Sequence, residues 1–526
     1  MASAQAPPAA QSDKYAEGAT PSMVSLLDGG DVSAAFKERE LQLKPNRSLY
    51  TSVLVALILP LQYGWSTSQL NLSTFHHADE CNVRPVPQHR CLMFPGHSQL
   101  QWTFVVNAWI LGGMFGSLSV GFFMDKVGRK KVMLANCVFM IIGAVIEILS
   151  SSIWVFAAGR FVAGVASGFS TGVVGAYINE VTPPRLRNLL GVGLQISITI
   201  GILLVGITFF FANTSSGWRY IAAFPILLAG LFLVLTPFAM VESPAWLLMQ
   251  GRHEDAEKEL ARLFGVDNVT VALGWLECSA EVDRIERRGS VQTPTTEQNE
   301  IEQYGGSNLS LLFSSIFFRQ FIAAIGIAAA QQLSGINAVF FYSSDLFKEA
   351  GFADDRVGTL VVNIVNVLPT FFSGWLAMKF GNRTMILSGM AGMLLSAIGM
   401  TFSLVVSVPV LSIVFTSTYV AAFGVSLGPL VWVVIADLFP DNIRATASSI
   451  CIGCSWLANL VVGVSYPFIA NALNDFSFMP FIGTLALFYA FVFRMVPETS
   501  GKTSEEIQAG FHALRKHKDG SRRRED

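Results

Sequence analysis

The sequence predicts an all-α membrane protein: 12 transmembrane helices in two pseudo-symmetric six-helix bundles, joined by a cytoplasmic helical linker. Three observations carry that expectation. Of 526 residues, 52% are hydrophobic and only 14% charged, where a soluble domain has about 25% charged residues. Domains of ordinary size cannot hide so much apolar surface from water. Apolar runs long enough to cross a bilayer recur twelve times, and marks at their ends repeat at nearly one offset. This composition excludes a disordered chain, a collagen-like repeat and an ordinary cytosolic enzyme. A net charge of −2 and one compact basic run, Arg522-Arg523-Arg524, argue against a nucleic-acid partner.

Residues 1–48 are polar, contain Pro and Ser, and read as a disordered cytoplasmic tail without a secretory signal. The first bundle, 49–241, holds runs at 50–70, 101–123, 132–150, 155–178, 189–211 and 218–240. The second, 317–496, holds runs at 317–346, 356–378, 384–406, 410–436, 445–470 and 477–495. About 20 apolar residues span the hydrocarbon layer. A helix forms there because it satisfies its own backbone where lipid offers no partner. The Gly and Ser content of these runs favours close helix approach.

The linker, 242–316, opens with a short amphipathic helix from His253 to Phe264: Glu254 precedes Lys258 by four, and Leu260, Leu263 and Phe264 share a face. Residues 289–308 read as disordered, and Arg287-Arg288-Gly289-Ser290 resembles a basophilic kinase site. A tail, 497–526, ends the chain. With the N-terminus inside, short inner loops carry nine Lys and Arg against five outside, so both termini are expected in the cytoplasm.

The two bundles repeat one another. Asp125-Lys-Val-Gly-Arg-Lys130 is echoed by Met378-Lys-Phe-Gly-Asn-Arg383, an offset of 253. Glu180-x2-Pro183-x3-Arg187 is echoed by Asp437-x2-Pro440-x3-Arg444 at 257, and Val241-Glu242-Ser-Pro by Val496-Pro-Glu498-Thr at 256. Two six-helix units related by an axis along the membrane normal hold substrate between them near the midplane.

This duplication, with Gly159-Arg160-Phe, Gln331-Gln-Leu-Ser-Gly-Ile-Asn337 and Pro497-Glu-Thr-Ser-Gly501, resembles the major facilitator superfamily and, within it, the sugar porter family. The likeness runs from Leu49 to Ile507. It implies the major facilitator fold and transport of a monosaccharide, in first place a hexose, by alternating access. Facilitative uniport is the leading expectation; a proton-coupled symporter and a non-transporting sugar sensor are the alternatives. No cofactor and no enzyme chemistry are implied, since no nucleophile–base or metal set occurs among the runs. A monomeric multi-pass protein of the plasma membrane is the expected form.

A sugar is neutral and covered in hydroxyls, so a selective site wants amides, hydroxyls and an aromatic face. The seventh run supplies Gln331, Gln332 and Asn337. The two adjacent glutamines cannot point the same way from one regular helix, which predicts a break near Gly335. By resemblance, Gln195, Asn366 and Trp432 match sugar-contacting positions, and Ile198, Ile202 and Phe341 the apolar lining. The alternative is that such amides only bridge helices. Gly424 stands where many glucose transporters carry Glu, and Ser455, ahead of Trp456, where the family has Asn. Both departures leave fructose, galactose or a pentose open beside glucose.

Asp125, Arg129, Glu180, Arg187, Asp437 and Arg444 lie at cytoplasmic helix ends and are read as ion pairs that hold the halves together when the site faces outward. Met378 and Asn382 replace an expected Glu and Arg, so the lattice of the second half is thinner. Proton-driven sugar porters carry Asp in the first run, where Ser66 stands here, and its partner Arg160 remains. Glu147, across a short loop from Arg160, is the candidate coupling carboxylate, or else half of an interfacial ion pair near the outer face. Cys81 and Cys91 share the first outer loop, an oxidising setting that favours a disulfide. No Cys/His metal spacing is present. Asn71-Leu-Ser and Asn213-Thr-Ser are glycosylation sequons, the first close to the bilayer.

Overall fold

The computed structural model describes residues 43–76, 81, 91–274, 276, 308–314, 316–349, 351, 354–439, 441–502 and 506–511. The expected N-terminal tail up to 42, the Ser290 string and the 289–307 stretch lie outside the described residues. Those that are described form helices joined by turns, with no strand among them.

The first bundle runs α1 (Arg47–Ala56), α2 (Ile58–Ser68), α3 (Ser73–His76), α4 (Gln99–Val127), α5 (Arg129–Leu149), α6 (Ile153–Val181), α7 (Pro184–Thr208) and α8 (Gly217–Ala239). The linker carries α9 (Pro244–Met249), α10 (His253–Phe264) and α11 (Asn308–Leu312). The second bundle runs α12 (Phe318–Leu333), α13 (Ile336–Glu349), α14 (Asp355–Phe380), α15 (Asn382–Val405), α16 (Pro409–Val425), α17 (Leu427–Asp437), α18 (Asp441–Leu473) and α19 (Met479–Met495). Among the described residues, eleven helical stretches are long and apolar enough to span a bilayer; α19 is apolar but has 17 residues. It still closes the second bundle, packed against α12 and α15.

Local signals place the ends. Ser98 and Gln101 form a reciprocal capping box at the start of α4. Three spans are interrupted. The first breaks at Leu57, the seventh at Ser334-Gly335 and the tenth at Ser426. Gly335 has φ +88°, a conformation that L side chains rarely adopt, so glycine lets the seventh span stop and restart there. The Tyr419 hydroxyl donates to the Ser334 carbonyl at that break. The halves meet along two seams, α7 against α14 and α4 against α18.

Candidate functional site

The break in the seventh span turns its amides toward one another. Asn337 Nδ2 donates to Gln332 Oε1 and, at 2.9 Å, to Asn459 Oδ1 on α18. Gln332 Nε2 donates to Gln331 Oε1 at 3.1 Å and to Ser455 Oγ at 3.0 Å. Gln331 Nε2 reaches the carbonyls of Leu427 and Gly428 at 2.9 and 3.0 Å, just past the tenth-span break. The network is uncharged and internally paired, which holds its geometry without a buried charge. Gln331 therefore acts as a staple between two broken helices, the helix-bridging alternative for that residue. Gln332 and Asn337 retain a little exposure.

Asn366 on α14 differs: both polar atoms of its side chain are buried without a partner. The reason lies next to it. A Cβ on Gly424 would sit 3.0 Å from Thr370 Oγ1 and 3.8 Å from Asn366 Oδ1. The side chain missing at 424 would have faced this amide. An unpaired buried amide is costly, and a hydroxylated ligand supplies both a donor and an acceptor.

On the opposing half, Gln195, Ile198 and Ile202 lie at i, i+3 and i+7 on α7, one helical face. The Ile202 carbonyl accepts from Asn363 Nδ2 of α14 at 3.3 Å, which places that face at the seam. Gln195 is half-buried and makes no hydrogen bond among the described residues. Ile198, Ile202, Phe341 and Trp456 belong to one apolar cluster shared by both halves, with Trp432 half-buried against it. Within it Trp109 stands edge-on to Trp456 (5.5 Å) and Phe341 (6.5 Å), and Tyr63 packs on Trp109 and Trp456.

Sequence reasoning missed Asn459, Tyr63, Trp109 and a polar ladder on α2. Gln62, Ser66 and Gln69 fall at i, i+4 and i+7, a spacing that would have revealed it. Gln62 Nε2 donates to Ser66 Oγ at 2.9 Å, and Ser167 Oγ, which accepts from Trp109 Nε1 at 3.0 Å, donates to Gln62 Oε1 at 3.2 Å. At the ladder's end Gln69 Nε2 donates to Glu147 Oε2 at 2.6 Å, and Gln69 Oε1 accepts from Arg160 Nη1 at 3.3 Å. Arg160 Nη1 also donates to the Ser66 carbonyl at 2.9 Å. The expected Glu147–Arg160 partnership runs through an amide: both residues are buried, at 2% and 1% exposure, and Gln69 bonds to each.

The face away from the linker is closed by bonds between the halves. Asn71 Nδ2 donates to Ser343 Oγ at 2.8 Å, and Asn71 Oδ1 accepts from Ser344 N at 3.1 Å. Ser68 Oγ donates to the Phe340 carbonyl, and Ser73 Oγ to Asp355 Oδ2 at 2.8 Å. His76 Nε2 lies 3.5 Å from Asp345 Oδ2, and its ring stacks on Trp102 at 4.5 Å. Asn71, the sequon expected close to the bilayer, is 2% exposed with its amide engaged in this conformation. Asn213 Oδ1 accepts from Thr74 Oγ1 at 2.7 Å and is half-buried. Cys81 and Cys91 are disulfide-bonded on this face, which leaves neither free as a metal ligand beside His97.

At the linker face the first half carries an ion pair of its own. Arg129 donates through Nε (3.0 Å) and Nη2 (2.6 Å) to Glu180 Oε1, with Asp125 3.8 Å away. Arg187 Nε donates to the Thr182 carbonyl, and Arg444 to the carbonyls of Ala436 and Phe439. The pairing of these six groups across the halves is expected when the site faces outward; in this conformation the opposite face is the closed one. The Asp437 carboxylate lies beside Thr499.

Known proteins resemble this chain along nearly its whole length. The family described as "Sugar (and other) transporter" matches residues 52–511. Facilitated glucose transporter member 4 of Homo sapiens is 32% identical over 480 residues, covering 88% of this chain and 91% of the relative. Member 2 of Gallus gallus is 32% identical over 475 residues, covering 87% and 83%. Among solved structures, the proton:xylose symporter XylE bound to 6-bromo-6-deoxy-D-glucose aligns with TM-score 0.70 and 25% identity, covering 88% of this chain and 98% of that one.

Proposed function

Since the chain belongs to the sugar transporter family of the major facilitator superfamily, and is thus a transporter rather than an enzyme, we propose that it carries a monosaccharide, in first place a hexose, by facilitative uniport. The observation that carries this reading is the uncharged lining: the Gln332–Asn337–Asn459–Ser455 network, the orphaned Asn366 amide and the aromatic wall of Tyr63, Trp109 and Trp456. Each hydrogen bond contributes about 0.5–1.5 kcal/mol. Several together give about −4 kcal/mol, millimolar binding, which suits a carrier that must also release. The linker face is cytoplasmic, the membrane is the plasma membrane and one chain is the functional unit. The closed far face makes this the inward-facing end of the cycle. Asn71, Ser73 and His76 part from Ser343, Ser344 and Asp345 when it reverses.

A proton-coupled second reading is favoured by one feature. Glu147 Oε1 and Arg160 Nε are buried without a partner, so a carboxylate that changes protonation between states has a place in the first bundle. Liposomes containing the purified chain decide between them. Radiolabelled sugars from a hexose and pentose panel are expected to equilibrate without accumulating under an imposed pH gradient. Accumulation, or lumenal acidification on adding sugar that Glu147→Gln abolishes, would replace uniport by symport. No saturable uptake of any sugar would end both readings.

A further inference from the structure

At the linker-side end of the second bundle lies a cavity of ≈ 250 Å³ whose wall carries Arg319 from α12, Arg383 from α15, Arg494 from α19 and Lys502. Two carboxylates also line it, Glu498 and Glu506. Four cations less two anions leave a net charge of +2. Glu498 is already engaged, because its carboxylate accepts the backbone N–H groups of Arg383, Thr384, Thr499 and Ser500. The arginines, by contrast, have unused donors. Arg319 Nε and Arg383 Nε are buried with no hydrogen-bond partner, although Arg383 Nη2 donates to the Phe493 carbonyl at 2.6 Å. Buried guanidinium donors without acceptors call for a ligand that brings oxygens. Guanidinium groups match phosphate oxygens in geometry and charge. The surroundings add the second half of the chemistry: Phe493 and Phe318 are 61% and 48% exposed at the same helix ends, on an apolar perimeter.

We propose that this cavity binds the phosphate headgroup of an anionic phospholipid, with the acyl chains lying against Phe493 and Phe318. Basic pockets between helix ends on the cytoplasmic side suit such headgroups, and the choice of leaflet rests on the orientation proposed above. The site is separate from the sugar cavity, so losing one leaves the other intact.

The purified full-length chain in detergent, titrated with phosphatidic acid, phosphatidylcholine or glycerol 3-phosphate, tests it by lipid-bound mass and by thermal shift. Phosphatidic acid is expected to bind and stabilise, and phosphatidylcholine much less. Arg494→Gln and Lys502→Gln remove exposed charges with little risk to folding. Each is expected to weaken phosphatidic acid binding about fivefold, and the pair about 25-fold, at about 1 kcal/mol per basic residue. Arg252→Gln, on the linker of the other half, is expected to change nothing. Undiminished binding in the double variant overturns the proposal, as does equal binding of phosphatidylcholine. Equal protection by glycerol 3-phosphate overturns the lipid as the source and assigns the site to a soluble phosphate ester.

Discussion

The linker faces of the two bundles are built on one plan and finished differently. In each, a glycine at positive φ (Gly128 at +94°, Gly381 at +90°) lets a helix restart. The first N–H groups of that helix point at a carboxylate from the far end of the bundle. Glu242 Oε1 accepts from Arg129 N and Lys130 N, both at 3.0 Å, and Glu498 Oε2 from Arg383 N at 3.1 Å. A Cβ on either glycine would collide with its carboxylate, at 2.7 and 2.5 Å. Anions at helix N-termini are favourable in both cases. The side chain that follows differs. Arg129 grips Glu180, whereas Asn382 Nδ2 donates to Thr499 Oγ1 at 2.9 Å. At this position the first half has a partly buried ion pair and the second a neutral amide–hydroxyl bond.

The largest effect should come from Glu180→Ala. It strands the Arg129 guanidinium, only 6% exposed, and removing one partner of a buried pair costs about 3 kcal/mol or more. Asp437→Ala should cost less, about 1 kcal/mol, because Arg444 keeps the Ala436 and Phe439 carbonyls as acceptors. Unfolding midpoints in detergent compare the two, and equal losses would break the contrast. Next, Glu242→Gln and Glu498→Gln should each destabilise by about 2 kcal/mol, because each removes charge-assisted acceptance at a helix start. Clearly unequal values would mean that the shared plan is only geometric.

On the substrate side the asymmetry runs the same way, with the paired amides in the second half. Asn337→Ala should raise the sugar Kd about tenfold and Gln195→Ala about threefold, near 1.4 and 0.7 kcal/mol. Equilibrium sugar binding measures both, and the reverse order would shift recognition to the first half. The smallest effect is Asn382→Arg, which offers Asp437 the partner that Glu180 has. A gain below about 1 kcal/mol, with slower sugar exchange, would sharpen the comparison; no change in either would show that Asp437 is out of reach.

Much of this was legible from local pattern. The hydropathy runs locate the spans, the adjacent glutamines anticipate the break at Gly335, and Leu260, Leu263 and Phe264 anticipate α10. Asn382, unlike Arg129, anticipates a neutral bond at its position. Other features were hidden. Glu147 and Arg160 are thirteen positions apart, but their link is Gln69 from another helix. That the Gln331 amide holds the tenth span is visible only in the fold. Asn71 reads as a sequon beside the bilayer, and only the fold shows its partners on α13.

Sequence alone determined the number of spans, their duplication and the uncharged character of the polar groups within them. These follow from composition, length and an offset along the chain, each readable one segment at a time. Tertiary structure alone decided which amides pair, which one is left open and which face is shut. Rotation of one helix against another is set by packing and interhelical bonds, because lipid is as apolar as the helix surface and favours no single rotation.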